Sequence, residues 1–160
     1  MRDINRIVVH HSESEGGDRE FIRYLHVDRN GWQDIGYHAI ITNGLPNGNW
    51  KAGGDGEIQE GRPEKMQGAH ARGHNEDSLG VCLIGRFDSE VPTHAQISAL
   101  VKLLLEWCEK YDLDETDIFC HDELNNTDCP GHNLRILMPV IKSSVRIWLT
   151  LKHYSFLVGT

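Results

Sequence analysis

The sequence lacks any hydrophobic run long enough to cross a bilayer. Its longest apolar stretches, residues 81–84 and 103–105, span less than two helical turns, and the late run 145–158 is broken by Arg146, Lys152 and His153. A membrane span is thereby excluded. Proline is scarce, with 5 in 160 residues, and no low-complexity tract or internal repeat is present, which excludes a disordered or fibrous chain. Cationic excess is missing too: Asp plus Glu number 24 against 16 Lys plus Arg, for a net charge of −8, and no basic stripe interrupts that field. Nucleic acid is therefore not an expected partner. Cysteines number only four (Cys82, Cys108, Cys120 and Cys129), with no CxxC pair, so neither a disulfide framework nor a zinc ribbon is expected. The first residues, Met1-Arg2-Asp3-Ile4-Asn5-Arg6, lack the apolar core and cleavage site of a signal peptide. Synthesis is expected to leave the protein in the cytoplasm.

The chain alternates strand and helix signals. Ile7-Val8-Val9 is a β-branched strand ending in His10 and His11, whose side chains must point to opposite faces. Asp18 caps a helix with Phe21, Ile22 and Leu25 on one face, ending near Asn30-Gly31. A strand is expected over 37–41, closed by Asn43-Gly44, and the Gly-rich stretch 45–61 is expected to hold short strands around Trp50 and Ile58. Residues 78–85 are apolar on both faces, the pattern of a central strand. Thr93 and Gln96 form a capping box for a helix running to Tyr111, residues 117–120 give a short strand leading into His121, and a last helix is expected from Pro139 through Trp148. The expected architecture is one α/β domain, 1–160, with a mixed sheet flanked by helices.

Ten histidines, several at strand ends, point to a metal site. A catalytic zinc takes three protein ligands and leaves a fourth position open. His121 and Cys129 are separated by seven residues, enough for a loop to turn both toward one ion, and His10 at a neighbouring strand end is the candidate third ligand. His70 and His74 form a rival pair at i, i+4, but Gly68, Gly73 and Asn75 argue against the helix that spacing needs.

Taken in order, Val9-His10-His11-Ser12, Gly36-Tyr37-His38-Ala39-Ile40-Ile41, Gly68-Ala69-His70-Ala71-Arg72-Gly73-His74-Asn75, Ser78-Leu79-Gly80-Val81-Cys82-Leu83-Ile84-Gly85 and His121 followed by Cys129-Pro130-Gly131 resemble the type 2 N-acetylmuramoyl-L-alanine amidase family. That family includes T7-type phage lysozymes and peptidoglycan recognition proteins. The resemblance covers residues 6–140, and the segment after Gly131 departs from the family pattern.

The resemblance implies a Zn²⁺-dependent hydrolase of the amide between the lactyl group of N-acetylmuramic acid and L-alanine. It makes His10, His121 and Cys129 the zinc ligands. Tyr37 and Thr127 become the catalytic hydroxyls, Thr127 falling where the family carries lysine or threonine. His70, Arg72 and Asn75 are candidates to line the substrate groove, and Trp50 is a candidate to stack on a sugar ring. The general base is left open between Glu123, Asp128 and neither. Cys82, Cys108 and Cys120 are read as core thiols, and His26, His94, His132 and His153 as surface or cap residues. The implied partner is peptidoglycan or a muropeptide, with no membrane insertion and a monomeric protein. A non-catalytic wall-binding module is the rival reading, and the resemblance implies that such members lack the cysteine. A cytoplasmic recycling amidase is a further alternative, but its branch ends the motif in an aspartate-type ligand, so Cys129 and the segment GAHARGHN point to a phage endolysin.

Overall fold

The computed structural model describes residues 2–158. Strand β1 (Arg6–His11) is buried from Ile7 onward and lies parallel to β4 (Ser78–Leu83) on one side and to β5 (Ile118–Cys120) on the other. On the far side of β4 runs β2 (Ala39–Asn43), also parallel, and β3 (Asp55–Glu60) closes that edge antiparallel to β2. The order is β3-β2-β4-β1-β5, the mixed sheet that the alternating pattern demands. β4 is buried at every residue, which explains its unbroken apolar sequence.

Side-chain alternation divides the molecule into two layers. Ile7, Val9, Leu79, Val81 and Leu83 face helices α2 (His94–Tyr111) and α3 (His132–Val158). Leu100, Leu104 and Trp107 of α2 fill that layer, each large side chain contributing about 1.5–3 kcal/mol by burial. Ile40 and Ile84 point the other way, where Phe21 and Ile22 of helix α1 (Arg19–Arg23) cover them. Asp18 caps α1 through the Phe21 amide, and the helix continues as a π-helical turn over Tyr24–Arg29. Among the described residues no helix is long and apolar enough to cross a membrane.

Three expectations are corrected. The last helix begins at His132 and holds Pro139 inside it. Burial of Leu134 and Met138 on the core draws the first turns into the helix, and Pro139 lies on its exposed side, where water can meet the Arg135 carbonyl that loses its amide donor. The strand expected over 37–41 starts at Ala39, so Tyr37 precedes it at the sheet end. Around Trp50 there is only an isolated bridge to Asn47, whereas the strand expected near Ile58 is β3.

The loop between β3 and β4, which carries His70, is pinned by buried polar contacts. The Arg2 guanidinium donates to the carbonyls of Glu64 (2.8 Å), Asn75 (2.9 Å) and Ser78 (2.7 Å). His38 accepts the Gly80 amide at Nδ1 (3.0 Å), so its Nε2–H donates to the Met66 carbonyl (3.0 Å). Burial holds the His38 pKa at about 4, against an ordinary 6.5. Below pH 6.5 the unfolded chain therefore takes up a proton that the native state refuses until about pH 4. Stability is expected to fall as the pH drops through this window, measured by urea unfolding. His38→Gln should lose stability at pH 7 and show a shallower decline between pH 6.5 and 4. An unchanged slope in that variant would contradict the assignment.

Candidate metal centre

β1 delivers His10 to the face opposite α2 and α3, while His11 turns into the helical layer, where its Nδ1 accepts the Phe87 amide at 3.3 Å. His121 follows directly on β5, opening a short 3-10 turn, and the chain returns so that the Asp122 amide donates to the Cys129 carbonyl at 2.9 Å. Gly131, at φ 86°, completes the return; a Cβ there would meet the Phe87 backbone at 2.6 Å. One ligand atom from each of His10, His121 and Cys129 lies within 4.8 Å of the others. The histidines of the rival pair go elsewhere. His70 stands behind His10, and His74 Nδ1 meets the Arg6 guanidinium at 3.1 Å.

The hydrogen-bond network assigns the tautomers. The Cys129 thiol lies 3.6 Å from His10 Nδ1, and that nitrogen is left unprotonated by the chain of hydrogen bonds running from His10 Nε2 to the His74 carbonyl. His10 Nε2–H then donates to His70 Nδ1 at 3.0 Å, leaving His70 Nε2–H directed at the Ser78 hydroxyl at 3.4 Å. Ser78 in turn donates to the His74 carbonyl at 2.6 Å. Gly80 gives the His70 ring its seat, since a Cβ there would stand 2.6 Å from the ring. On the other ligand, His121 Nε2–H donates to Asn125 Oδ1 at 3.1 Å. Its Nδ1 is buried and has no partner.

These residues fit a zinc ion. Two neutral imidazoles and a thiolate are the donors zinc prefers, and tetrahedral bonds of about 2.0–2.3 Å separate ligand atoms by roughly 3.3–3.8 Å. The orphaned Nδ1 of His121 is a buried lone pair that a metal would satisfy. Burial, reinforced by the neighbouring imidazoles, lowers the His10 pKa well below its usual value, and burial lowers that of His121. Burial pushes the Cys129 thiol up to about 12.

Around these ligands runs an open groove of about 590 Å³, lined by Trp32, His70, Arg72, His121, Asn125 and Thr127. Thr127 Oγ1 accepts the Cys129 amide at 3.3 Å. Asn75 accepts the amides of His70 (2.8 Å) and Ala71 (2.9 Å), so it shapes the loop as well as bordering the groove. Tyr37 sits with its ring 5.0 Å from that of His10. Burial, then proximity to Cys82 and Cys129, raises its pKa well above the usual value.

Several sequence assignments change. Trp50 packs on Tyr24 (5.2 Å between ring centroids) and Phe21 (6.2 Å), which makes it part of the α1 layer, and Trp32 occupies the groove instead. His26 is half-buried against Trp32 (4.6 Å) and Tyr37 (5.3 Å), its Nδ1 accepting the Gly36 amide at 3.0 Å, so it is not a surface residue. Burial holds its pKa at about 4. Cys82 lies beside Tyr37. Glu123 is used as a cap, accepting the Cys120 amide at 2.6 Å, Asp128 is exposed, and no carboxylate lines the groove among the described residues.

The class defined by these features is a mixed α/β domain with a His, His, Cys cluster that could hold a metal ion. The comparisons specify it further. A family model described as N-acetylmuramoyl-L-alanine amidase matches residues 1–132, and the chain belongs to that family. The endolysin of Escherichia phage T7 is 36% identical over 125 residues, covering 74% of this chain and 72% of that protein. Peptidoglycan-recognition protein SC2 of Drosophila melanogaster is 34% identical over 114 residues, covering 71% of this chain; the chain spans only 56% of that relative's length. Among solved structures, the N-acetylmuramoyl-L-alanine amidase LysC from Clostridium intestinale URNW superposes with a TM-score of 0.72 at 31% identity, over 86% of this chain and 85% of that one.

Because both imidazoles are held neutral and the thiol is held protonated, zinc binding is expected to release at least one proton, that of Cys129. Apparent affinity should rise at least about tenfold per pH unit between pH 6 and 8. Calorimetric titration in two buffers of different ionisation enthalpy measures the release. Cys129→Ser should weaken zinc more than about 100-fold. Wild-type affinity that is flat with pH would contradict the assignment.

Proposed function

We propose that the protein is a zinc-dependent N-acetylmuramoyl-L-alanine amidase that cuts the amide between the lactyl group of N-acetylmuramic acid and L-alanine in peptidoglycan. The observation that carries this reading is the convergence of His10, His121 and Cys129, with an unpartnered His121 Nδ1, beside an open groove in a chain of this family. When bound, zinc polarises the scissile carbonyl and brings the pKa of a water to near 7. The rest is the work of the chain.

Tyr37 remains a phenol at neutral pH, so its hydroxyl is a donor for the oxyanion that develops at the attacked carbonyl. Thr127 already accepts the Cys129 amide through Oγ1, which leaves its O–H free to donate into the groove. His70 acts on His10 rather than on substrate. Its Nδ1 holds the His10 Nε2–H and so keeps the Nδ1 lone pair turned toward Cys129. Arg72, exposed on the rim, is placed to meet carboxylates of a stem peptide, while Asn75 holds the loop that presents it. Trp32, 39% exposed, offers the aromatic surface for the glycan in place of Trp50.

Similarity to a phage endolysin over most of both chains supports a role in wall breakdown by a phage or prophage. A wall-recognition module that does not cut is the second reading, favoured by the peptidoglycan-recognition relative. The presence of both Cys129 and Tyr37 at the cluster argues for the enzyme.

Digestion of purified peptidoglycan by zinc-loaded and zinc-stripped protein, with products identified by mass spectrometry, tests the proposal. Stem peptides with a free L-alanine amino terminus are expected only with zinc. Binding without release would establish the recognition module instead. Tyr37→Phe should retain zinc and lose about 10²- to 10³-fold in kcat, and full turnover in that variant would exclude a catalytic hydroxyl at this position.

A further inference from the structure

The two ligand histidines are steadied in different ways. His10 comes from the buried strand β1, and its outer N–H goes to the His70 ring seated on Gly80. His121 stands half-buried at the head of a loop, where the partner of its outer nitrogen is the Asn125 side chain. The backbone amide of Asn125 donates to the His121 carbonyl at 3.0 Å, a single turn that brings side chains four residues apart to the same side. Local backbone geometry thus sets the Asn125 carboxamide beside the imidazole.

That carboxamide has an accepting end and a donating end, and both are used. Nδ2 donates to the Arg72 carbonyl at 3.1 Å, 53 residues away in the chain, while Oδ1 takes the His121 Nε2–H at 3.1 Å. A carbonyl only accepts, so Arg72 must face Nδ2, and Oδ1 is left for His121. Oδ1 only accepts in its turn, which fixes the His121 proton on Nε2 and leaves the lone pair on Nδ1, the buried atom without a partner. The opposite carboxamide orientation would set two oxygens against each other at Arg72 and call for the other His121 tautomer.

Arg72 belongs to the same loop as His70, and Asn75 holds that loop through the amides of His70 (2.8 Å) and Ala71 (2.9 Å). One loop therefore orients both ligand histidines, His10 through the His70 ring and His121 through the Arg72 carbonyl relayed by Asn125. We infer that Asn125 is a positioning residue for the metal centre, carrying the orientation of the 70–75 loop across the groove to His121. The groove rim that bears Arg72 and the zinc-binding lone pair of His121 then behave as one unit. This inference rests on His121 being a zinc ligand, as proposed above, and adds that its readiness for the ion is set from the opposite wall.

The test uses the whole protein with isotope-labelled histidine and two variants at this half-buried position. Asn125→Ala removes both ends of the relay, whereas Asn125→Asp keeps an acceptor for His121 and cannot donate to Arg72. In metal-free protein at mildly alkaline pH, the ring-nitrogen shifts of His121 are expected to show one neutral form, protonated at Nε2, in the wild type and in Asn125→Asp. Asn125→Ala should show a mixture of the two tautomers. Zinc affinity is expected to fall about 10- to 100-fold in Asn125→Ala and to match or exceed the wild type in Asn125→Asp. Backbone amide relaxation should show residues 71–74 more mobile in both variants. Wild-type nitrogen shifts and zinc affinity in Asn125→Ala overturn the positioning role, and unchanged motion of residues 71–74 in Asn125→Asp overturns the link across the groove. Wild-type protein that binds no zinc would refute the metal reading instead, and the nitrogen shifts of the metal-free variants would still decide the role of Asn125.

Discussion

The candidate site depends on one hydrogen bond, from His10 Nε2 to His70 Nδ1 at 3.0 Å. An imidazole presents a lone pair at only one nitrogen when neutral, so the partner of the other nitrogen decides which one can bind a metal. Here the proton is drawn to Nε2 and the lone pair left at Nδ1, 3.6 Å from the Cys129 sulfur. His121 reaches the same state through Asn125. Both imidazoles are thus set before any ion arrives, which is the preorganisation a metal site needs.

Holding that bond requires much of the sheet. Parallel pairing of β1 and β4 puts His10 opposite Cys82 and leaves Gly80, one pleat away, bare enough for the His70 ring to lie against it. Ser78 receives the next hydrogen bond, and Arg2 ties the His70 loop to the start of β1. The two faces of the sheet then divide the work. One is closed by α2 and α3 and supplies the main core, while the other carries α1 at one end and the ligands at the other.

Periodicity made the sheet and α2 legible, because the buried runs of β1 and β4 and the Thr93–Gln96 capping box are local signals. His10 and His121 lie at strand ends and Cys129 on the loop that returns to them, and the ordered motifs put all three forward as candidate ligands. What stayed hidden depends on contacts distant in sequence. His26 lies in the π-helical turn that follows α1 and from there meets both Trp32 and Tyr37, and no spacing signals that turn. Trp50 looked like a groove residue from its Gly-rich surroundings, yet aromatic packing on Tyr24 and Phe21 decided its place. Pro139 misplaced the start of α3 because a proline usually opens a helix, and only the burial of Leu134 and Met138 shows why this one does not.

Zinc K-edge X-ray absorption of the metal-loaded protein tests the central claim most directly. One sulfur at about 2.3 Å and two imidazole nitrogens at about 2.0 Å from the zinc are expected. A shell without sulfur, or with a single imidazole, would contradict it.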